Sequence, residues 1–423
     1  VTGQPESSPD AEFRLRSVAI RAYAPGTLFG LAEGAMMPVI AASSFARGSS
    51  VAGAAFITAL LGIASLVTNI PAGILATRLG ERKAMLIAAV ITAVGLILCI
   101  PSLGTGATSL GLYGLGVFLI GSASAVFGLA RQAYLTEMVP PHMRARALST
   151  LGGTLRIGMF LGPFAGAGAV QLWGLQGAYF AGLSAIIVAA AIIYRVSDLE
   201  VSEAKRTASA QVTTPDIVRR YWRTFLTLGM GVVLLSAIRQ TRQSVIPLWA
   251  SHIGLSPSTS SLIYGVAGGI DALTFYPSGK VMDLYGRRAV AVPCVVIMGL
   301  SFVLMPLTHG AVALMLVAMM MGFGNGCGSG IVVTFAADVA PSVGRLTFLG
   351  VWRELSDGGN AIGPLILSGV TAVASLSAGL VVSGGVGFAA AAALWIWAPR
   401  GKGSRTRRAQ PPPAAVSVSL ADP

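Results

Sequence analysis

The chain is assembled from apolar runs of about twenty residues that recur from end to end, and their length most limits what it can fold into. At about 1.5 Å of rise per residue, a helix of that length matches the roughly 30 Å hydrocarbon core of a bilayer. Inside lipid every backbone N–H and C=O needs a partner within the chain, which leaves helices and closed barrels. Barrel strands would appear as alternating segments of about ten residues, and these runs do not alternate. Composition agrees: 54% of the residues are hydrophobic and 11% charged, where soluble domains carry about 25% charged residues. The mean hydropathy is +0.76.

The runs predict twelve spans, at 18–41, 51–75, 84–101, 109–136, 147–171, 174–195, 222–250, 257–281, 288–307, 311–337, 346–373 and 377–397. The segment 196–221 is charged and lacks apolar periodicity, so it reads as a cytoplasmic linker between six-helix bundles at 18–195 and 222–398. The expected fold is all-α and integral to the membrane, with 12 transmembrane helices in two pseudo-symmetric bundles. Residues 1–17 form a polar tail that runs straight into a span, without the cleavage pattern of a removable signal peptide. Residues 399–423 are basic and then proline-rich, a composition expected to be disordered.

The net charge of +13 is spread in short patches between apolar runs. That pattern encodes membrane topology and argues against a nucleic-acid partner. With the N-terminus inside, cytoplasmic segments hold 23 of the 29 lysines and arginines, while the outside loops hold only Arg47. Both termini are therefore expected in the cytoplasm. Arginine outnumbers lysine 25 to 4, which fits a GC-rich bacterial gene and a multi-pass protein of the bacterial inner (plasma) membrane. Cys99, Cys294 and Cys327 all fall in apolar runs and read as small core residues. His142, His252 and His309 have no metal-ligand spacing, and no phosphate-binding Gly-rich loop ending in Gly-Lys-Ser/Thr is present. No metal, cofactor, ATP-driven step or enzyme activity is expected. The expected partners are a small-molecule substrate, protons and the lipid bilayer, with the monomer as the working unit.

The two halves repeat. Glu-Met-Val-Pro-Pro-His-Met-Arg at 137–144 is echoed by Asp-Val-Ala-Pro-Ser-Val-Gly-Arg at 338–345. The same offset relates Gly158, Gly162 and Pro163 to Gly359, Gly363 and Pro364. A second echo links Gly73, Gly80, Arg82 and Lys83 with Gly279, Gly286 and Arg288. Internal symmetry of this kind marks transporter folds, with a site between halves near the bilayer midplane. Gly158, Gly162 and Gly166 lie four apart and so share a helix face, where missing side chains admit another backbone. Pro163 invites a bend there. Such a helix suits a moving interface between bundles, with ordinary helix packing in the membrane as the alternative.

Charges inside a span are costly and mark functional candidates. Glu33, Arg156 and Asp357 each lie 12 residues beyond a flanking arginine (Arg21, Arg144 and Arg345), about 18 Å into the bilayer. The repeat maps Glu33 onto Arg242 and Arg156 onto Asp357 with inverted sign. One buried pair per half is therefore expected: Glu33 with Arg156, and Arg239 or Arg242 with Asp357, with Asp271 as a competing partner. Glu33 or Asp271 is the expected proton-titrating group, against a static ion pair as the alternative. Phe29, Met36, Met37, Trp249, Tyr264 and Trp352 are candidates for a greasy cavity wall, with core packing as the alternative.

At these motifs the chain resembles the major facilitator superfamily over essentially all twelve spans. Gly-Ile-Leu-Ala-Thr-Arg-Leu-Gly-Glu-Arg-Lys at 73–83 is similar to that family's signature between its second and third helices, as is Gly-Lys-Val-Met-Asp-Leu-Tyr-Gly-Arg-Arg at 279–288. The resemblance implies a cytoplasmic gate from Gly73, Arg78, Gly80, Arg82, Lys83, Glu137 and Arg144, and from Gly279, Asp283, Gly286, Arg287, Arg288, Asp338 and Arg345. Thr77 stands where the family has aspartate, with Glu81 or Glu137 as substitutes. The segment 158–166 resembles the family's antiporter motif, with Ala167 where a second glycine is common. The arginine that drug exporters carry in the fourth helix is replaced by Val117, and Arg131 follows about a dozen residues later.

The resemblance implies secondary active transport by alternating access, with proton-coupled export of small, hydrophobic, drug-like compounds favoured by the antiporter motif. The alternatives are a proton-linked uptake carrier for a sugar or metabolite and a non-transporting membrane sensor. The charge asymmetry makes a direct prediction. With Cys99, Cys294 and Cys327 replaced by alanine, a cysteine placed at Ser209 in intact cells should resist an impermeant maleimide, whereas one placed at Ser49 should react. The reverse pattern would invert the orientation.

Overall fold

A computed structural model describes residues 15–100, 107–138, 144–195, 214–328, 330–341 and 345–399, all helical apart from short connections. In the first half, α1 (Leu15–Met36) passes through a 3₁₀ turn at Met37–Val39 into α2 (Ile40–Ala46), and the two make one broken span. The break falls at Pro38, whose missing N–H interrupts the helical ladder. There follow α3 (Val51–Leu79), α4 (Glu81–Leu98), α5 (Ala107–Met138), α6 (Arg144–Trp173) and α7 (Leu175–Tyr194). The second half comprises α8 (Thr214–Thr224), α9 (Met230–His252), α10 (Pro257–Tyr285), α11 (Arg287–Leu304), α12 (Ala311–Gly328), α13 (Ile331–Val339), α14 (Arg345–Val373) and α15 (Leu376–Trp397).

These elements reproduce the twelve expected spans, with α12 and α13 forming one of them. Nine candidate spans among the described residues are long and apolar enough to cross a membrane unaided. The other three helices, α4, α10 and α14, carry charges: Glu81, Arg82 and Lys83 on the first, Asp271 and Lys280 on the second, and Arg353, Glu354 and Asp357 on the third. The linker reading needs one amendment. From Thr214 the chain is helical, and α8 runs through a π-helical turn at Phe225–Gly229 straight into α9. Ile217 is buried there, whereas Arg219, Arg220 and Trp222 are exposed. A single buried side chain in eleven residues, four of them charged, is too little for periodicity to register.

Each half is assembled by backbones in contact. A Cβ on Gly158 would overlap the Thr27 carbonyl of α1, and one on Gly162 would lie 2.5 Å from the Leu31 carbonyl oxygen. In the second half, Gly359 and Gly363 of α14 sit in the same way on the Val233 and Ala237 carbonyls of α9. The glycine face of α6 therefore packs inside its own bundle and not between bundles, which is the ordinary-packing alternative and not the moving interface. The opposite face of α6 makes the inter-bundle contact: a Cβ on Gly265 of α10 would meet Phe164 at 2.9 Å, and one on Gly269 would meet Phe160 at 2.8 Å.

The turns at the linker end also repeat. Gly80 and Gly286 have φ of 84° and 90°, a region L-residues avoid. Just beyond them, Arg82 donates to the Ile193 and Tyr194 carbonyls of α7. Its repeat partner Arg288 stacks 3.8 Å over the Trp395 ring of α15. Each half thus ties the start of its third span to the end of its sixth.

The glycine contacts give a paired prediction. Gly162→Val should lower stability by about 1–3 kcal/mol through overpacking against α1, read as earlier melting of the detergent-purified protein. Gly168→Ala, where a Cβ meets nothing within 4 Å, should leave melting unchanged.

Candidate functional site

Two adjoining cavities lie between the halves. The larger, about 420 Å³, is bordered by Arg156, Arg239, Arg242, Tyr264, Asp271 and Asn325 among others. The smaller, about 190 Å³, is bordered by Glu33, Met36, Met37, Ser124 and Asp357 among others. Met159, Gln240, Gln243 and Asn360 border both and form the partition. All six intramembrane charges singled out in the sequence therefore reach this central region.

Their pairing differs from expectation, and helix geometry explains why. Residues two apart on a helix point about 200° away from each other. Arg156 is two before Gly158, so it faces away from α1 and towards the other half. There the charges bearing on it are those of Asp271 and Arg242. Asp357 is likewise two before Gly359 and also faces the other half. It accepts from Asn69 Nδ2 of α3 at 2.7 Å and from Asn360 Nδ2 at 3.3 Å, with Arg353 Nε at 3.7 Å. Neither expected pair forms. Glu33 does not bridge to Arg156, and Asp357 bridges to neither Arg239 nor Arg242.

Glu33 instead accepts a hydrogen bond from Ser124 of α5. The cation whose charge reaches it is Arg131, seven residues on from Ser124 and so on the same face of α5. Arg131 is buried at 7% exposure, lies against Gly26 of α1, and has no hydrogen-bond partner for Nε or Nη1. In the second half the competing partner prevails. Arg242 Nη2 lies 3.1 Å from Asp271 Oδ2, which also accepts from Asn325 Nδ2 at 2.6 Å. Arg239 Nε donates to Asn325 Oδ1 at 2.9 Å. Asn325 thus links Arg239 to Asp271 through its amide. Tyr264 senses Arg242, Asp271 and Glu33 together, which places it where the two halves meet.

Of the apolar candidates, Met36, Met37 and Tyr264 border a cavity. Phe29 stacks on Phe127 with centroids 4.1 Å apart, Trp352 on Phe348 at 5.9 Å, and Trp249 donates to Thr308 Oγ1 at 2.8 Å. Those three belong to the core. Among the gate residues, Arg287 bridges Asp338 at 2.9 Å. Gly73, Arg78 and Lys83 lie on the helices flanking the Gly80 turn. Of Thr77, Glu137, Arg144, Gly279, Asp283 and Arg345 only the helical backbone is described, and their contacts lie outside the described residues.

Sequence reasoning missed four neutral partners, Ser124, Asn69, Asn325 and Asn360. The asparagines are the only three in the sequence and each lies inside an expected span, which is the signal that could have found them. Arg47, read as an outside-loop residue, is only 4% exposed. It donates to the Ser43 and Cys99 carbonyls at 2.8 and 2.9 Å and lies 4.2 Å over the Tyr113 ring. Tyr113, Tyr179 and Ser43 continue this network through hydroxyls 2.8 and 2.7 Å apart. The halves also meet at this far end, where Ser368 donates to the Ala52 carbonyl at 2.9 Å and Gln171 to Ser258 Oγ at 3.2 Å.

Comparison with known proteins places this architecture. The description "Major Facilitator Superfamily" matches residues 26–242 and 228–421. No curated protein matches the chain. Among solved structures it is similar to a D-xylose-proton symporter, with 16% identity, a TM-score of 0.70, and coverage of 92% of this chain and 99% of that one. The nucleoside transporter NupG gives 15% identity and a TM-score of 0.69 over 90% and 98% of the two chains. A POT family transporter in complex with 5-aminolevulinic acid gives 13% identity and a TM-score of 0.72 over 91% and 96%. At these identities the likeness is one of fold, whereas the two family matches together cover nearly the whole chain. The chain belongs to the major facilitator superfamily, whose members are membrane transporters and not enzymes.

Proposed function

We propose that this transporter couples the movement of a small organic compound to protons by alternating access, and that it exports its cargo in exchange for inward protons. The observation that carries the reading is the pair of cavities between the halves, with three membrane-depth carboxylates on their walls. Export is supported by the antiporter-like segment 158–166, whose glycines press α6 onto α1 and set the rotation of α6, so that Arg156 is directed at the opposite half.

Glu33 is the coupling group this arrangement favours. Asp271 is occupied by a guanidinium and an amide, and Asp357 by two amides and a guanidinium. Glu33 has a hydroxyl as its direct partner. A serine hydroxyl donates to an ionised carboxylate and accepts from a protonated one, so both states of Glu33 keep their hydrogen bond. The greasy cargo that the resemblance implies has less support, because charged and amide side chains make up much of the cavity wall. The gate residues at the linker end, with the Arg287–Asp338 bridge among them, would break and re-form as that end opens.

Proteoliposomes preloaded with pools of anionic, neutral and cationic compounds, together with a luminal pH dye, test this reading. For an antiporter, cargo leaving draws protons in and the lumen acidifies; for a symporter it turns alkaline. Luminal acidification abolished by Glu33→Gln is the expected result. Alkalinisation would establish symport, and acidification unaffected by Glu33→Gln would remove Glu33 from the coupling step.

A further inference from the structure

The walls of the two cavities are not balanced in charge. The larger presents the guanidiniums of Arg156, Arg239 and Arg242 against a single carboxylate, Asp271. Asp271 bridges Arg242, and among the described lining residues guanidiniums outnumber carboxylates in this enclosed space. The smaller presents Glu33 and Asp357 among its described lining residues, with Arg131 near the first and Arg353 at 3.7 Å from the second. The partition between them contains only neutral side chains, those of Met159, Gln240, Gln243 and Asn360.

Charges at membrane depth are costly and mark functional sites. Among the described lining residues, arginines border only the larger cavity. The volume of the positive cavity falls in the range of small-molecule sites. Its cations are all arginines, whose planar forks match the paired oxygens of carboxylate and phosphate where a lysine would offer a point charge. Arg156 comes from one half and Arg239 from the other, so an anion held between them would join the halves across their interface. The Asn325 amide, bonded to Arg239 Nε, fixes the guanidinium in place as a receptor group.

We infer that the larger cavity binds a small organic anion, its carboxylate or phosphate group held between Arg156 and Arg239. This names the cargo class for the transport reading above and rests on it. Thermal melting of the full-length purified protein tests it, with succinate and phenyl phosphate as anions, succinamide as the neutral match and tetraphenylphosphonium as the cation. A dose-dependent rise in Tm with one or both anions is expected, and no rise with the other two. Arg156→Gln and Arg239→Gln should each weaken the anion response by about tenfold, the scale of one charge-assisted hydrogen bond, and Arg156→Lys should retain part of it. A response to succinate alone assigns the carboxylate, and one to phenyl phosphate alone the phosphate. If a glutamine variant does not fold, Gln243→Glu takes its place by adding negative charge to the shared wall, with the same loss expected. Stabilisation by succinamide or tetraphenylphosphonium equal to that by the anions would overturn the inference. So would no response to either anion at millimolar concentration, or an anion response that survives all these substitutions. The proton-flux assay separates the two readings. Anion binding without coupled proton movement leaves the inference standing and removes proton coupling, and proton movement coupled only to cations or neutral compounds does the reverse.

Discussion

The structure depends on helices packing backbone against backbone. Lipid supplies no hydrophobic drive for helices to associate, so close van der Waals approach at small residues has to hold each bundle together. Glycines provide it twice, where α6 lies on α1 and α14 lies on α9. Because the contact leaves room for only one rotation of each helix, it also determines where every other side chain on that helix points. Arg156 and Asp357 face the opposite half for this reason, and the same glycines that pack the helices aim the charges at the cavities.

The fold was legible because bilayer thickness enforces one length scale and the repeat shows itself at constant offsets. The depth of the charges was legible as well, by counting residues from flanking arginines at a known rise. Their pairing was not, because depth says nothing about the direction a side chain takes around the helix axis. That information was present in the sequence all along. The two-residue step from Arg156 to Gly158 and from Asp357 to Gly359 excludes the pairs that depth alone suggests. The neutral partners divide in two: Ser124 is one serine among many and only the fold selects it, whereas Asn69, Asn325 and Asn360 are the only asparagines in the sequence and all fall inside expected spans, a signal that attention to charges alone passed over.

The inverted signs of the repeat now acquire a structural meaning. Arg156 and Asp357 occupy equivalent places on equivalent helices, yet one faces Asp271 and the other Asn69, each across the midline. Two symmetric positions thus face opposite halves with residues of opposite sign, one bordering each chamber. The neutral partition between those chambers consists largely of amides, which can donate and accept hydrogen bonds without favouring either charge.

The burial of Arg47 has a consequence for the charge of the far mouth. It is the one basic residue among the lysines and arginines that the sequence places in a far-end loop, and two carbonyls and a tyrosine ring engage it within the bundle. The far mouth therefore has almost no fixed cation, whereas the sequence gathers its arginines towards the linker end. Electrostatically the molecule is polarised from end to end, with its basic charge crowded at one mouth and nearly absent from the other.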